Sequence, residues 1–197
     1  MLRFFKDMEQ RKDDGRHDSD VTLFFELLYF GEFCVKLTAL GLAAAIRDDL
    51  DRSRYRQLHR LVRADGLGDW ASVIQDTLNG PPSQSLDLQA QLEQRELNQA
   101  VGAGTWQHSA VTELVGVLDD LGISIDPVRD RVKGLVWFDL FARLRNATRA
   151  HGAYTPGNLA RVCERLEQSI TTLIDNFSLF SRPWAYLHRN LSGKYKV

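Results

Sequence analysis

Between Val21 and Ile46 the chain is so rich in apolar side chains that this stretch must be either buried in protein or inserted in a bilayer. Leu23, Phe24, Leu27, Leu28, Cys34, Leu37, Leu42 and Ala45 recur at helical spacing, and alternation of period two is absent. Glu26, Glu32 and Lys36 interrupt the run, and charges inside a hydrocarbon core are costly. The stretch is therefore predicted to be a long buried helix and not a membrane span. Ser19 or Asp20 is placed to cap it, and the polar run from Glu9 to Asp20 is expected to be an exposed lead-in.

A helix of this kind needs other helices to cover it, and the rest of the chain supplies them. A second helix is predicted from near Asp51 to about Ala64, stopped by Asp65 and Gly66, and a third, carrying Trp70, Val73, Ile74 and Leu78, ends at Asn79, Gly80, Pro81 and Pro82. Residues 83–100, rich in Gln, Glu and Leu, suggest a helix lying over the bundle or reaching towards a partner. Gly102 and Gly104 break the chain, Ser109 offers a cap for a helix through Leu121, and Gly122 with Pro127 ends it. Two strongly amphipathic helices follow. In the first, Trp137, Leu140, Phe141, Leu144 and Thr148 make one stripe and Gly152 supplies the stop. In the second, Thr155 and Pro156 form the start, and Leu159, Val162, Cys163, Leu166, Ile170, Leu173, Ile174 and Phe177 line one face. The fold class that follows is all-α.

After Pro183 the pattern changes. Residues 184–189 and 193–197 have the look of short extended segments without a strand partner, so 1–183 is read as one helical domain and 184–197 as an extended tail, the expected start of a following domain.

The 197 residues carry 25 basic and 26 acidic side chains. Their distribution is uneven: residues 1–130 hold 14 basic against 22 acidic, and 131–197 hold 11 against 4. A positive C-terminal third can meet a polyanion although the total charge would not suggest it. Cys34 and Cys163 stand alone in apolar helical patterns, which fits neither a disulfide framework nor a zinc site and points to a reducing, cytoplasmic setting. The glycosylation-type triplets at Asn146, Asn176 and Asn190 are read as chance matches, because Met1 is followed by Arg3 and Lys6 with no sustained apolar leader.

Signature motifs for phosphate loops, zinc peptidases, redox dithiols and serine hydrolases are missing. Asp48, Asp49 and Asp51, and likewise Asp119 and Asp120, are expected to be structural or solvated, and no metal or other cofactor is expected. His17, His108 and His188 have no partner at ligand spacing.

The segment Arg143 to Gly152 is different, since it puts Arg143, Arg145, Arg149 and His151 around the end of one helix. On an ideal helix Arg145 lies about 80° from Trp137, and Arg145 and His151 are about 120° apart. They converge only if the helix ends at Gly152 or if two protomers face each other across a two-fold axis. Arg and His suit metal-free RNA cleavage: a guanidinium stabilises charge on a phosphorane, and an imidazole moves the proton of the 2′-hydroxyl or of the leaving oxygen. The alternative is a helix-terminal His favoured by the dipole beside solvated arginines.

Arg145, Asn146, four residues and then His151 resemble the Arg-polar-x4-His motif of the HEPN superfamily, at the end of a long helix followed by another amphipathic helix. The resemblance covers mainly residues 130–180, with 21–46 as a partner helix and extra helices inserted around 51–125. It implies a HEPN-like bundle that dimerises and, in active members, a metal-independent endoribonuclease, often a toxin or effector in bacterial defence restrained by an antitoxin or regulatory domain. By position, Arg145 would stabilise the phosphate, Asn146 would orient its neighbours or the RNA, and His151 would be the general acid or base. Other members are non-catalytic dimerisation or RNA-binding modules.

A second feature is independent of that motif. Arg52, Arg56, His59, Arg60 and Arg63 fall on one side of the second helix, and Tyr55, Leu58, Leu61 and Val62 are expected to pack on the other. With Arg149, the arginines 52, 56, 60 and 63 are the expected RNA-binding residues, the alternative being a solvated face neutralised by Asp48, Asp49, Asp51 and Asp65. Trp184, Tyr186 and Arg189 could stack on bases or pack on the bundle. The expected partners are therefore RNA and a second copy of the chain, and no membrane.

Overall fold

The computed structural model describes residues 20–47, 52–127, 130–150 and 159–184, the side chains of 149 and 150 excepted, and the backbone of 188–189 and 195–196. Among these residues there are seven α-helices: α1 Asp20–Ala44, α2 Ser53–Val62, α3 Leu67–Asn79, α4 Leu88–Asn98, α5 Trp106–Asp120, α6 Val136–Ala150 and α7 Leu159–Asn176. Short 3-10 turns occupy Pro81–Ser85 and Ser178–Ser181. The all-α expectation holds.

The core forms where α5 lies along α7 and where α1 lies against α3 and α7, with α6 packed on α3, α5 and α1. Trp137 and Phe141 of α6 stack at 5.0 Å between ring centroids, and Phe138 meets the Trp137 ring edge-on at 5.4 Å. The Trp137 indole Nε1 donates to Ser169 Oγ at 2.9 Å, and that hydroxyl donates to the Ala110 carbonyl at 2.7 Å. One aromatic residue thus ties α5, α6 and α7 together while satisfying the polar atoms it buries.

The apolar stretch that opened the sequence argument is α1. By length and composition it could cross a membrane, but 61% of its most apolar window is buried in the fold. Gly31 allows α1 to approach α6 closely, since a Cβ there would stand 2.1 Å from Phe141 Cζ. That ring is held by Trp137 and cannot step aside. Gly31→Ala is therefore expected to lower stability by about 1–3 kcal/mol through overpacking, read as a lower urea midpoint at unchanged slope.

Several boundaries differ from the sequence expectation. The helix expected from Ser109 begins at Trp106, because Trp106 stacks on Phe177 at 6.0 Å and Gln107 Nε2 donates to the Glu96 carbonyl at 3.1 Å. Gly122 (φ 67°) does end α5, and the Ile123 N–H closes the turn on the Leu118 carbonyl at 2.8 Å. The helix within 83–100 does not reach away. Ser178 Oγ donates to Glu96 Oε2 at 2.6 Å and Arg182 Nε donates to Glu93 Oε1 at 2.6 Å, which fastens α4 to the chain leaving α7.

Two small antiparallel pairings were not foreseen. β1 Ala100–Val101 pairs with β2 Val132–Lys133, and β3 His188–Arg189 pairs with β4 Tyr195–Lys196. The last pairing corrects the reading of the tail: its two extended segments have each other as partners, so a missing strand partner is no argument there. Trp184 packs on α1, where a Cβ on Gly41 would come within 2.8 Å of its ring. Tyr186, Thr155, Pro156, His17, Asp48, Asp49 and Asp51 lie outside the described residues, and Arg189 is described only in its backbone.

Candidate functional site

Arg145 emerges from the last turns of α6 on the side that faces α1. Its Nε and Nη2 both donate to Glu32 Oε2 at 2.9 Å, and the two side chains are only 12% and 16% exposed. Lys36 Nζ takes the other oxygen, Oε1, at 2.6 Å, and itself lies 5.6 Å from the centroid of the Trp70 ring on α3. Glu32 and Lys36, two of the charges that interrupt the apolar run, thus belong to a network joining α1, α3 and α6. Glu32 is the residue that sequence reasoning missed as part of the site. Its signal was a lone acid inside an apolar helix, which needs a cation wherever it is buried.

Burial alone would raise the Glu32 pKa, but the hydrogen bonds and charges of Lys36 and Arg145 outweigh it and hold the carboxyl below its ordinary 4.5. A carboxyl with a depressed folded pKa contributes stability that is complete above the unfolded value and is lost as pH falls through the folded one. Glu32→Gln is therefore expected to lower stability by about 1–3 kcal/mol at pH 7, and the gap to wild type should narrow on acidification below about pH 4. Urea midpoints at pH 7 and pH 3.5 check both; a gap that is flat across this range would mean the lost contribution is packing.

The network opens on a shallow pocket lined by Phe25, Leu28, Tyr29, Glu32, Arg145 and Thr148. Around it α1 leaves Val21, Phe25, Tyr29, Phe33 and Leu40 exposed, Tyr29 by 64%. At 100° per residue these five fall within about 120° of arc, with Glu32 and Lys36 in the same arc. One side of α1 is therefore, among the described residues, an exposed aromatic face with a charge cluster in its middle.

Asn146 is exposed beside Arg145, as is Arg143. Arg149 belongs to α6 in its backbone, but its side chain lies outside the described residues, and so does His151. The structure thus joins Arg145 to Glu32 without testing the Arg145–His151 convergence. Among the described residues no cluster of His, Cys, Asp or Glu could hold a metal ion. Asp120 instead faces Arg161 Nε and Arg165 Nε, each at 3.4 Å, and His108 sits within α5 with Nδ1 3.4 Å from Thr112 Oγ1. Both cysteines are buried: Cys163 Sγ donates to the Asp20 carbonyl at 3.4 Å, and burial pushes the Cys34 thiol up.

The basic helix needs a correction. The buried residues of α2 are Ser53, Gln57 and Leu61, whereas Tyr55, Leu58 and Val62, expected to pack, are exposed. The inner ridge at i, i+4 and i+8 is set by the contact of α2 with α3, where Arg60 reaches across to Asp76 and donates to Ser72 Oγ at 3.0 Å. Arg60 is thereby occupied; Arg52, Arg54, Arg56 and Arg63 remain exposed.

No protein-family model matches this chain, and neither a curated protein nor a solved structure is significantly similar to it. What it does must be argued from the site.

Proposed function

We propose that the protein is a metal-independent endoribonuclease of the HEPN type that acts as a homodimer. The observation that carries the reading is Arg145: a guanidinium oriented by Glu32 through Nε and Nη2, with Nη1 unpartnered among the described residues, beside a pocket on an exposed aromatic face. An oriented cation can stabilise the charge that develops on a phosphorane without the reorganisation a free side chain would need. The exposed face of α1 supports the dimer. In an antiparallel pair about a two-fold axis near Tyr29, Phe25 of one copy meets Phe33 of the other, so the face is complementary to itself. His151 stands five residues beyond Asn146 in the sequence, directly after the last residue of α6.

In this reading the 2′-oxygen attacks phosphorus, the bond to the 5′-oxygen breaks, and a 2′,3′-cyclic phosphate and a 5′-hydroxyl result. His151 removes the 2′-proton or protonates the leaving oxygen, Arg145 stabilises the phosphorane and Asn146 orients RNA at the exposed edge. A toxin or defence effector restrained by a partner protein is the setting proposed for such an activity. One observation favours a second reading, a non-catalytic dimerisation or RNA-binding module: Glu32 already neutralises Arg145.

The test is labelled total RNA incubated in EDTA with wild type and His151→Ala, followed by end-group analysis. Cleavage to cyclic phosphate ends is expected, about 10²- to 10⁴-fold slower in the variant. Equal activity in both would remove His151 from the mechanism, and silence in both, with a dimer in solution, would favour the module.

A further inference from the structure

The second helix is built inside out. Of its four large apolar side chains only Leu61 faces the bundle, and two of the three residues it buries are the polar Ser53 and Gln57. Outward it presents Val62, 86% exposed, with Tyr55 and Leu58. At 100° per residue Leu58, Val62 and Tyr55 fall within about 60° of arc. Arg54 lies about 40° beyond Leu58 on one flank, and His59, Arg63 and Arg56 follow within about 100° of Tyr55 on the other. The outer surface is thus an apolar crest between two basic flanks.

Among the described residues no acid pairs with those flanks. Residues 52–64 contain five arginines and no Asp or Glu. Among the described residues Arg52, Arg54, Arg56 and Arg63 form no ion pair: Asp69 accepts the N–H groups of Asp65 and Gly66 at 3.0 and 3.1 Å, and Asp76 holds Arg60, while Asp48, Asp49 and Asp51 lie outside the described residues. The charge is complementary to an anionic surface, and the crest adds a demand that a phosphate backbone alone does not meet. A nucleic acid would engage the arginines and could stack on the Tyr55 and His59 rings, which lie 5.9 Å apart, but it would leave Val62 and Leu58 against water or phosphate. An anionic lipid surface meets both. Apolar side chains enter the acyl boundary, Tyr lies at headgroup level, and arginines on either flank extend to the phosphates.

We propose that α2 is an interfacial helix that seats the protein on an anionic phospholipid surface. The attachment is peripheral, because α2 has 10 residues and lies along the fold. It is independent of the ribonuclease reading and stands or falls separately.

The full chain is sedimented with vesicles of phosphatidylcholine alone and of phosphatidylcholine and phosphatidylglycerol in equal parts, and in parallel tested for retention of a polyuridylate oligonucleotide. Wild type is expected to pellet with the mixed vesicles only, less so in high salt. Val62→Asp, at a position too exposed to disturb the fold, should reduce vesicle binding by about tenfold or more, and the double variant Arg54→Glu with Arg63→Glu should do the same. Circular dichroism confirms that both variants are folded. No sedimentation of wild type, or equal binding by wild type and Val62→Asp, overturns the proposal. Oligonucleotide retention that is lost in the arginine variant and indifferent to Val62→Asp, without vesicle binding, would make α2 a nucleic-acid strip instead.

Discussion

Trp137→Ala should lower the stability of the protein by about 3–5 kcal/mol, a large fraction of what a domain of this size possesses. The indole is fully buried, stacks on Phe141 and is the donor that joins α6 to Ser169 of α7. Truncation removes the largest side chain of the core and leaves a cavity that three helices would have to collapse to fill. It also releases the Phe141 ring that meets Gly31, and with it the register of α6 against α1, on which the Arg145 to Glu32 contact depends. Trp137→Phe keeps a stacking ring and loses the hydrogen bond with part of the volume, so it should cost about 1–2 kcal/mol. Urea unfolding of the three proteins measures both, and a loss below about 1 kcal/mol for the alanine variant would mean that the site is not the packed centre described.

The second large effect concerns a buried carboxylate. Glu93 has no exposed side-chain surface, and Arg182, more than eighty residues away, grips both of its oxygens. Burial pushes the Glu93 pKa up, and the guanidinium pulls it back only in part. Arg182→Met leaves the acid buried without its cation, with an expected loss of about 3–5 kcal/mol near neutral pH. The sign of the pH dependence distinguishes this from lost packing. Without Arg182 the folded pKa rises further above the unfolded 4.5, so the folded state holds a proton that the unfolded chain gives up. The group's contribution is then complete below about pH 4.5 and is lost as pH rises towards the folded value. The deficit relative to wild type should therefore be larger at pH 7.5 than at pH 4.5. Adding Glu93→Gln to Arg182→Met should recover much of it, because the carboxylate that had to be protonated is gone. An equal deficit at both pH values would assign the loss to the arginine's packing.

Much of this protein is legible without its structure. The apolar spacing within 21–46, 137–148 and 159–177 marked three of the long helices, Gly122 and the Asn79 to Pro82 run marked the ends of α5 and α3, and the charges inside α1 argued against a span. Helix periodicity is a local property, fixed by the geometry of consecutive residues, and it survives into the fold. Helix starts were less legible. Trp106 and Gln107 joined α5 ahead of the expected cap at Ser109 because both had partners on other elements, Phe177 and the Glu96 carbonyl. The motif around Arg145 was likewise visible as a run of residues, but its acid was not.

Which side of each helix faces what was decided only by the tertiary structure. Sequence placed Tyr55, Leu58 and Val62 against the core because they are apolar, yet α3 takes the ridge of Ser53, Gln57 and Leu61, and the three apolar side chains are left exposed. Glu32 and Arg145 are 113 residues apart, and Glu93 and Arg182 are 89 apart. Periodicity along the chain determines that a residue is on a given stripe of its own helix. The partner of a buried charge is chosen by how separate helices pack, and contacts between distant segments leave no repeat in the sequence between them.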